Sequence, residues 1–173
     1  MKKFLLFLPA FLILSQTASA DNVMRSAQAD VLNTHGEKIG HVAIQGENKG
    51  VKISLEVTKM TPGEHAFHIH NVGKCDVPDF QTAGGHFNPT NKKHGLQNPE
   101  GHHAGDMANI IVAEDGTGKA DVVNQDVTLD DGASSLFHPG GTALVIHAKS
   151  DDNKSDPAGN AGNRVACGVI TKS

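Results

Sequence analysis

Val51-Lys52-Ile53-Ser54-Leu55-Glu56-Val57-Thr58-Lys59 alternates an apolar with a polar residue at almost every step. In an extended strand successive side chains point to opposite faces, so this pattern makes one apolar face and one wet face. A helix of the same residues would scatter them around its circumference. The tetrapeptide before it, Glu47-Asn48-Lys49-Gly50, has the composition of a turn, and residues 38–45 before that turn form another strand-like run. The unit reads as a β-hairpin. Further short strands are predicted over residues 27–32, 65–70, 108–113, 120–127, 143–148 and 165–171, with a second turn at Glu114-Asp115-Gly116-Thr117-Gly118. No long stretch holds apolar residues at helical spacing. About eight strands joined by such turns predict an all-β, antiparallel sandwich or barrel, in a single domain.

Two stretches break the strand pattern. Residues 71–105 are rich in Gly, Pro, Asn and His, and residues 149–164 in Asp, Asn and Gly. Long loops without secondary structure of their own are usually functional or disordered. These two carry or flank most of the residues capable of chemistry, so they read as functional.

The start of the chain reads as a leader. Lys2 and Lys3 precede an apolar run over residues 4–14, and Ala18-Ser19-Ala20 has the small-x-small form of a cleavage site. This is the pattern of a secretory signal peptide over residues 1–20, leaving one domain over residues 21–173. The run is short for a bilayer span, which takes about 20 residues. No cysteine follows it to carry a lipid. An exported protein is therefore expected, in the periplasm, with no membrane attachment once the leader is cut. Loss of Lys2 and Lys3 takes the net charge from −4 to −6, because no acid lies in the leader. No long basic block remains, which argues against a nucleic-acid partner. Cys75 and Cys167 are the two cysteines. An even count in an exported chain favours a disulfide over two buried thiols, and a metal-ligand role is weaker still. Closing so long a loop is worth roughly 4–5 kcal/mol in the chain-entropy treatment.

The histidines carry the chemistry. His68 and His70 lie two apart in a predicted strand, so both rings project from one face. His65, at an odd offset, points to the other face and reads as a packed, hydrogen-bonded residue. His147 ends a strand that could lie beside the first and supply a third imidazole. His86, His94, His103 and Asp106 form a second set, with Asp106 three residues after His103. A His₃Asp set fits tetrahedral zinc, whereas imidazoles without thiolate also suit copper. Seven ligands exceed what one zinc uses, so the spacing reads as two metals sharing a site. His102 competes with His103 for its place, and His103 has the better claim because Asp106 follows it at three residues. His35, His41 and His138 have no partner in sequence and read as surface or structural residues.

Several segments resemble those of copper–zinc superoxide dismutases, in the exported bacterial branch. Gly63-Glu64-His65-Ala66-Phe67-His68-Ile69-His70 is similar to the family's copper-ligand strand. Gly84-Gly85-His86-Phe87-Asn88-Pro89, Lys93-His94-Gly95 and His103-Ala104-Gly105-Asp106 are similar to its zinc loop. Gly159-Asn160-Ala161-Gly162-Asn163-Arg164-Val165-Ala166-Cys167-Gly168-Val169-Ile170 is similar to its carboxy-terminal signature. The resemblance covers nearly the whole mature chain. Two departures are the short segment from Cys75 to His86 and the absence of tryptophan.

The resemblance implies an eight-stranded Greek-key β-barrel and dismutation of superoxide to oxygen and hydrogen peroxide. It implies copper on His68, His70, His86 and His147, and zinc on His86, His94, His103 and Asp106, with His86 a bridging imidazolate. His86 would also pass a proton to the peroxide, and Arg164 would hold the anion. Asp151 would bond His70 or His68 on one side and His94 on the other. Cys75 and Cys167 would be the family disulfide. Lys149 and Lys154 are candidates for steering the substrate, and relatives occur as monomers and homodimers. Two other classes compete. A mononuclear zinc hydrolase would leave His68, His70 and His147 without a common purpose and lacks a clear general base. A non-catalytic copper or zinc binding or delivery module would use the same ligands without turnover.

Overall fold

The computed structural model describes residues 25–173, so the leader predicted over residues 1–20 lies outside the described residues. Among the described residues ten strands are joined mainly by turns and loops: β1 (Ser26–Asn33), β2 (Lys38–Gly46), β3 (Val51–Val57), β4 (Gly63–His65), β5 (Phe67–His70), β6 (Ile110–Val112), β7 (Gly118–Asn124), β8 (Ala143–His147), β9 (Arg164–Val169) and β10 (Thr171–Lys172). The only helical element among the described residues is one 3₁₀ turn, Gln81–Ala83. None of their helices is long and apolar enough to cross a membrane.

The sheet runs β4-β6-β7-β3-β2-β1-β9-β8-β5, with β10 also on β1, and every pairing between named strands is antiparallel. Its two ends, β4 and β5, are consecutive in sequence and separated only by Ala66. One strand thus pairs with β6 at its start and with β8 at its end, which brings the sheet round on itself as a barrel. The split at Ala66, and another at Ile170 between β9 and β10, turn the eight predicted strands into ten segments. β3 lies against β7 rather than β4, and β8 against β9 and β5, so the chain crosses over twice in Greek-key fashion.

The alternation in β3 works as its sequence predicts. Val51, Ile53, Leu55 and Val57 are buried in the barrel core. Each such side chain contributes about 1.5–3 kcal/mol by leaving water. On the wet face, Asp121 accepts from Ser54 Oγ at 2.6 Å and Lys119 Nζ donates to Glu56 at 2.6 Å. Glu47 N donates to Gly50 O at 3.1 Å, closing the β2–β3 hairpin. The predicted strand over residues 108–113 is shorter, because Asn109 spends its side chain on the Asp151 backbone. The one predicted over 120–127 is β7, which stops at Asn124, whose amide donates to Ala104 O.

β5 and β8 depart from simple alternation, since every residue in both is buried. Phe67, Ile69, Leu144 and Ile146 face the main core. On the opposite face, Ala143 and Val145 join Phe80, Ala83 and Cys167 in a small second core beneath residues 71–105. The Cys75–Cys167 disulfide, with Cα atoms 5.6 Å apart, ties that loop to β9. The outer face of β5 and β8 is thereby covered by loops, and the polar residues on it are buried.

Candidate metal centre

The register builds the platform. His68 pairs with Val145 and His70 with Ala143, so His68, His70 and His147 share the outer face of two adjacent strands. A bulge in the β8–β9 ladder sets His147 opposite Arg164. Bulges commonly re-aim side chains beside functional sites. The loop then returns alongside β5: His86 bridges His70, Phe87 N donates to Ile69 O at 2.8 Å, and Ile69 N donates to Gly105 O at 2.9 Å. This main-chain pairing brings His86, His103 and Asp106 to the platform.

Two groups result, His68–His70–His86–His147 and His86–His94–His103–Asp106, in each of which one donor atom per residue lies within 4.8 Å of the others. His86 belongs to both. Its Nδ1 faces Asp106 Oδ1 at 2.8 Å, and its buried Nε2 has no partner.

Outer bonds orient the rings. His70 Nδ1 donates to Gly84 O at 2.9 Å and His147 Nδ1 to Gly162 O at 3.3 Å. A carbonyl can only accept, so in the neutral rings both Nε2 atoms are bare, and they face each other at 3.4 Å. His68 Nε2 donates to Asp151 Oδ2 at 2.7 Å, leaving a buried, unpartnered Nδ1. His94 Nε2 donates to Asp151 Oδ1 at 3.0 Å. Lone pairs pointed at one another in a buried space are what a cation resolves. The third grouping, His68–His94–Asp151, is this hydrogen-bonded link, with Asp151 standing behind rings of both clusters.

Protonation follows the surroundings. Burial, with help from neighbouring charges, holds His70 well below the usual imidazole range, His86 at about 4 and His147 at about 3. These rings are neutral at pH 7, the form that binds metal. Burial opposes charge on His94, but the hydrogen bonds of Asp106 and Asp151 outweigh it and raise it to about 9. Burial likewise opposes ionised Asp106, yet bonds from His103, His86 and His94 hold it well below the carboxylate range. For Asp151, bonds from His68 and His94 overcome burial in the same sense.

Residues 38–170 match the model of the family described as copper/zinc superoxide dismutase (SODC). The chain belongs to that family. Among the relatives of this copper/zinc superoxide dismutase family member, "Superoxide dismutase [Cu-Zn] 1" of Aquifex aeolicus (strain VF5) is 58% identical over 144 residues, 82% of this chain and 85% of that one. "Superoxide dismutase [Cu-Zn] 2" of the same strain is 52% identical over 163 residues, 93% and 94% of the two chains. A solved double mutant of a SOD-like protein from Bacillus subtilis superposes with a TM-score of 0.79 at 39% identity, covering 82% and 94%. Copper and zinc are the metals of the family, and the donor sets fit them: four imidazoles for copper and a His₃Asp set for zinc.

The remaining predicted residues also have places. Arg164 donates from Nη1 to Phe80 O at 2.7 Å and from Nη2 to Gly84 O at 2.6 Å, which anchors it over the same loop. His65 is buried with its two nitrogens 2.8 Å from His147 O and Thr61 O, a structural role as predicted. His102 turns away to Asp126 at 3.0 Å, whereas His103 joins the cluster. Of the two remaining open alternatives for Asp151, the ring it bonds is that of His68. Lys149 and Lys154 are exposed. His41 contacts Asp30, and His138 stacks on Phe87 at 5.1 Å. Sequence reasoning missed the Gly84 carbonyl, shared by His70 and Arg164, and Asn109, which exchanges two bonds with the Asp151 backbone. Main-chain acceptors leave no trace in residue identity.

Proposed function

We propose that this protein dismutes superoxide, two anions and two protons giving oxygen and hydrogen peroxide. Copper is assigned to His68, His70, His86 and His147, and zinc to His86, His94, His103 and Asp106. The observation that carries the reading is the pair of clusters meeting at one buried ring, His86, with its Nε2 unpartnered on the copper side. Copper held there would supply the one-electron redox change, whereas zinc, which has no redox chemistry, would hold structure. His86 Nε2, buried and without a protein partner, would hold and release the proton that the peroxide takes, while Nδ1 lies 2.8 Å from Asp106 Oδ1. Asp151 keeps the rings of His68 and His94 in one tautomer. Arg164 holds the anion electrostatically, with two of its donors clamped to the Phe80 and Gly84 carbonyls so that the charge does not wander. The net negative charge does not oppose this role, because local positive charge in a cleft can focus the field.

We also propose export to the periplasm, on the leader pattern of residues 1–20, and a homodimer. Ile111 and Val123, exposed on β6 and β7, offer apolar surface for the latter. Cell fractionation and sedimentation of the purified protein test these two points.

The decisive experiment measures superoxide disproportionation and metal content on one sample of mature protein, before and after copper removal. Copper-dependent activity with about one copper and one zinc per chain supports the reading. Metals bound without activity would replace it with a binding or delivery module.

A further inference from the structure

We propose that Asp156 is a positioning residue for His94: it pins that ligand's peptide from residues 149–163, so His94 is set only when this loop is docked on the metal loop. The inference rests on the zinc reading of His86, His94, His103 and Asp106.

Asp156 Oδ1 accepts from the His94 backbone N–H at 2.8 Å, and Oδ2 from Lys93 Nζ at 3.2 Å. From the same loop, Asp151 Oδ1 accepts from the far end of the ring, His94 Nε2, at 3.0 Å. One carboxylate grips the main chain and the other the ring, which leaves Nδ1 a single direction to point. That direction is the cluster, where Nδ1 sits 3.1 Å from Asp106 Oδ1. More bonds join the two loops: Gln97 N donates to Asn153 O at 3.1 Å, and Asn98 Nδ2 to Lys154 O at 3.4 Å.

The contact is close enough to require glycine on both sides. A Cβ on Gly95, at φ +107, would overlap the Asn153 carbonyl, and one on Gly159, at φ +62, would come within 2.8 Å of His94 Nε2. The loops therefore meet with no side-chain layer to absorb a shift, and a small displacement of one reaches His94 directly. The bond from the His94 peptide to Asp156 is charge-assisted, which makes it stronger than a neutral one. Asp156 itself is 41% exposed, so truncating it opens no core cavity.

The test is zinc competition against a chelator, on copper-containing full-length mature protein, for wild type, Asp156→Ala, Asp156→Asn and Lys93→Met. Partners behind a metal ligand typically change affinity 10–100-fold, and the exposed site places Asp156→Ala near the lower end, about tenfold weaker. Asp156→Asn keeps an oxygen that accepts from the His94 N–H and stays near wild type. Lys93→Met loses only the ion pair and also stays near wild type. Co²⁺ loaded in place of zinc reports geometry separately: its visible spectrum shifts in Asp156→Ala and returns in Asp156→Asn. Wild-type zinc competition and Co²⁺ spectrum in Asp156→Ala would overturn the inference alone. A wild-type protein that takes no zinc would overturn the zinc reading, and this inference with it.

Discussion

Replacing Arg164 with alanine lowers kcat/KM for superoxide disproportionation about tenfold while copper and zinc stay bound. The magnitude follows from how the guanidinium is held. A hydrogen bond to a charged group contributes about 1.5–3 kcal/mol. Arg164 already commits Nη1 to Phe80 O and Nη2 to Gly84 O, so only its remaining donors face an incoming anion. The lower end applies, and about 1.4 kcal/mol is a tenfold change. Its charge also reaches the ligand rings, since Arg164 contributes to the lowered proton affinity of His70 and His147. The assay is the initial rate against ionic strength, with both metals quantified in the same sample. Alanine should flatten the salt dependence, because a charge that steers the anion has gone. Arg164→Lys keeps the charge but lacks the planar fork that spans two carbonyls, and falls between the two. An unchanged rate would remove Arg164 from the mechanism. Loss of copper together with activity would mean that freeing Gly84 O has released His70, which donates to the same carbonyl, and that Arg164 is scaffolding.

The metal-free protein should be most stable near pH 6.5, the ordinary imidazole value. Below it, His70, His86 and His147 stay neutral in the fold while their unfolded counterparts take protons, so stability falls with falling pH until about 4 for His86 and about 3 for His147. Above it the sign reverses through His94, whose contribution is complete below about 6.5 and lost as pH rises through about 9. Thermal unfolding of the metal-stripped protein across this range checks it, and a monotonic trend would contradict it. Replacing Cys75 and Cys167 with serine opens a loop spanning 92 residues. Denaturant unfolding should show roughly 4–5 kcal/mol less stability, and reductant should no longer affect the variant. His102→Ala should leave both metal stoichiometries unchanged, because His102 bonds Asp126 outside the clusters; a missing metal would reverse the choice of His103.

The alternation of β3 and the turns around it were legible because burial on one face of a strand imposes a period of two on the residues themselves. The His68-x-His70 pair was legible for the same reason, as was His65 as the residue left out. Strand ends were less so. Asn109, just before β6, and Asn124, the last residue of β7, spend their side chains on distant backbone, and those partners are fixed by the fold. Burial of both faces of β5 and β8 was also hidden, because the cover comes from residues far along the chain.

What the sequence by itself determined is the inventory: an all-β chain, seven candidate ligands in family-like motifs, and two cysteines. These depend on residue type and short-range spacing, which local chemistry dictates. Only the tertiary structure decided the assignment within that inventory. It gave Asp151 to the ring of His68 rather than His70, the Gly84 carbonyl to both His70 and Arg164, and Asn109 to the Asp151 backbone. Each choice depends on which nitrogen or oxygen meets which, across strands and loops remote in sequence, and direction in space is set only when the barrel closes.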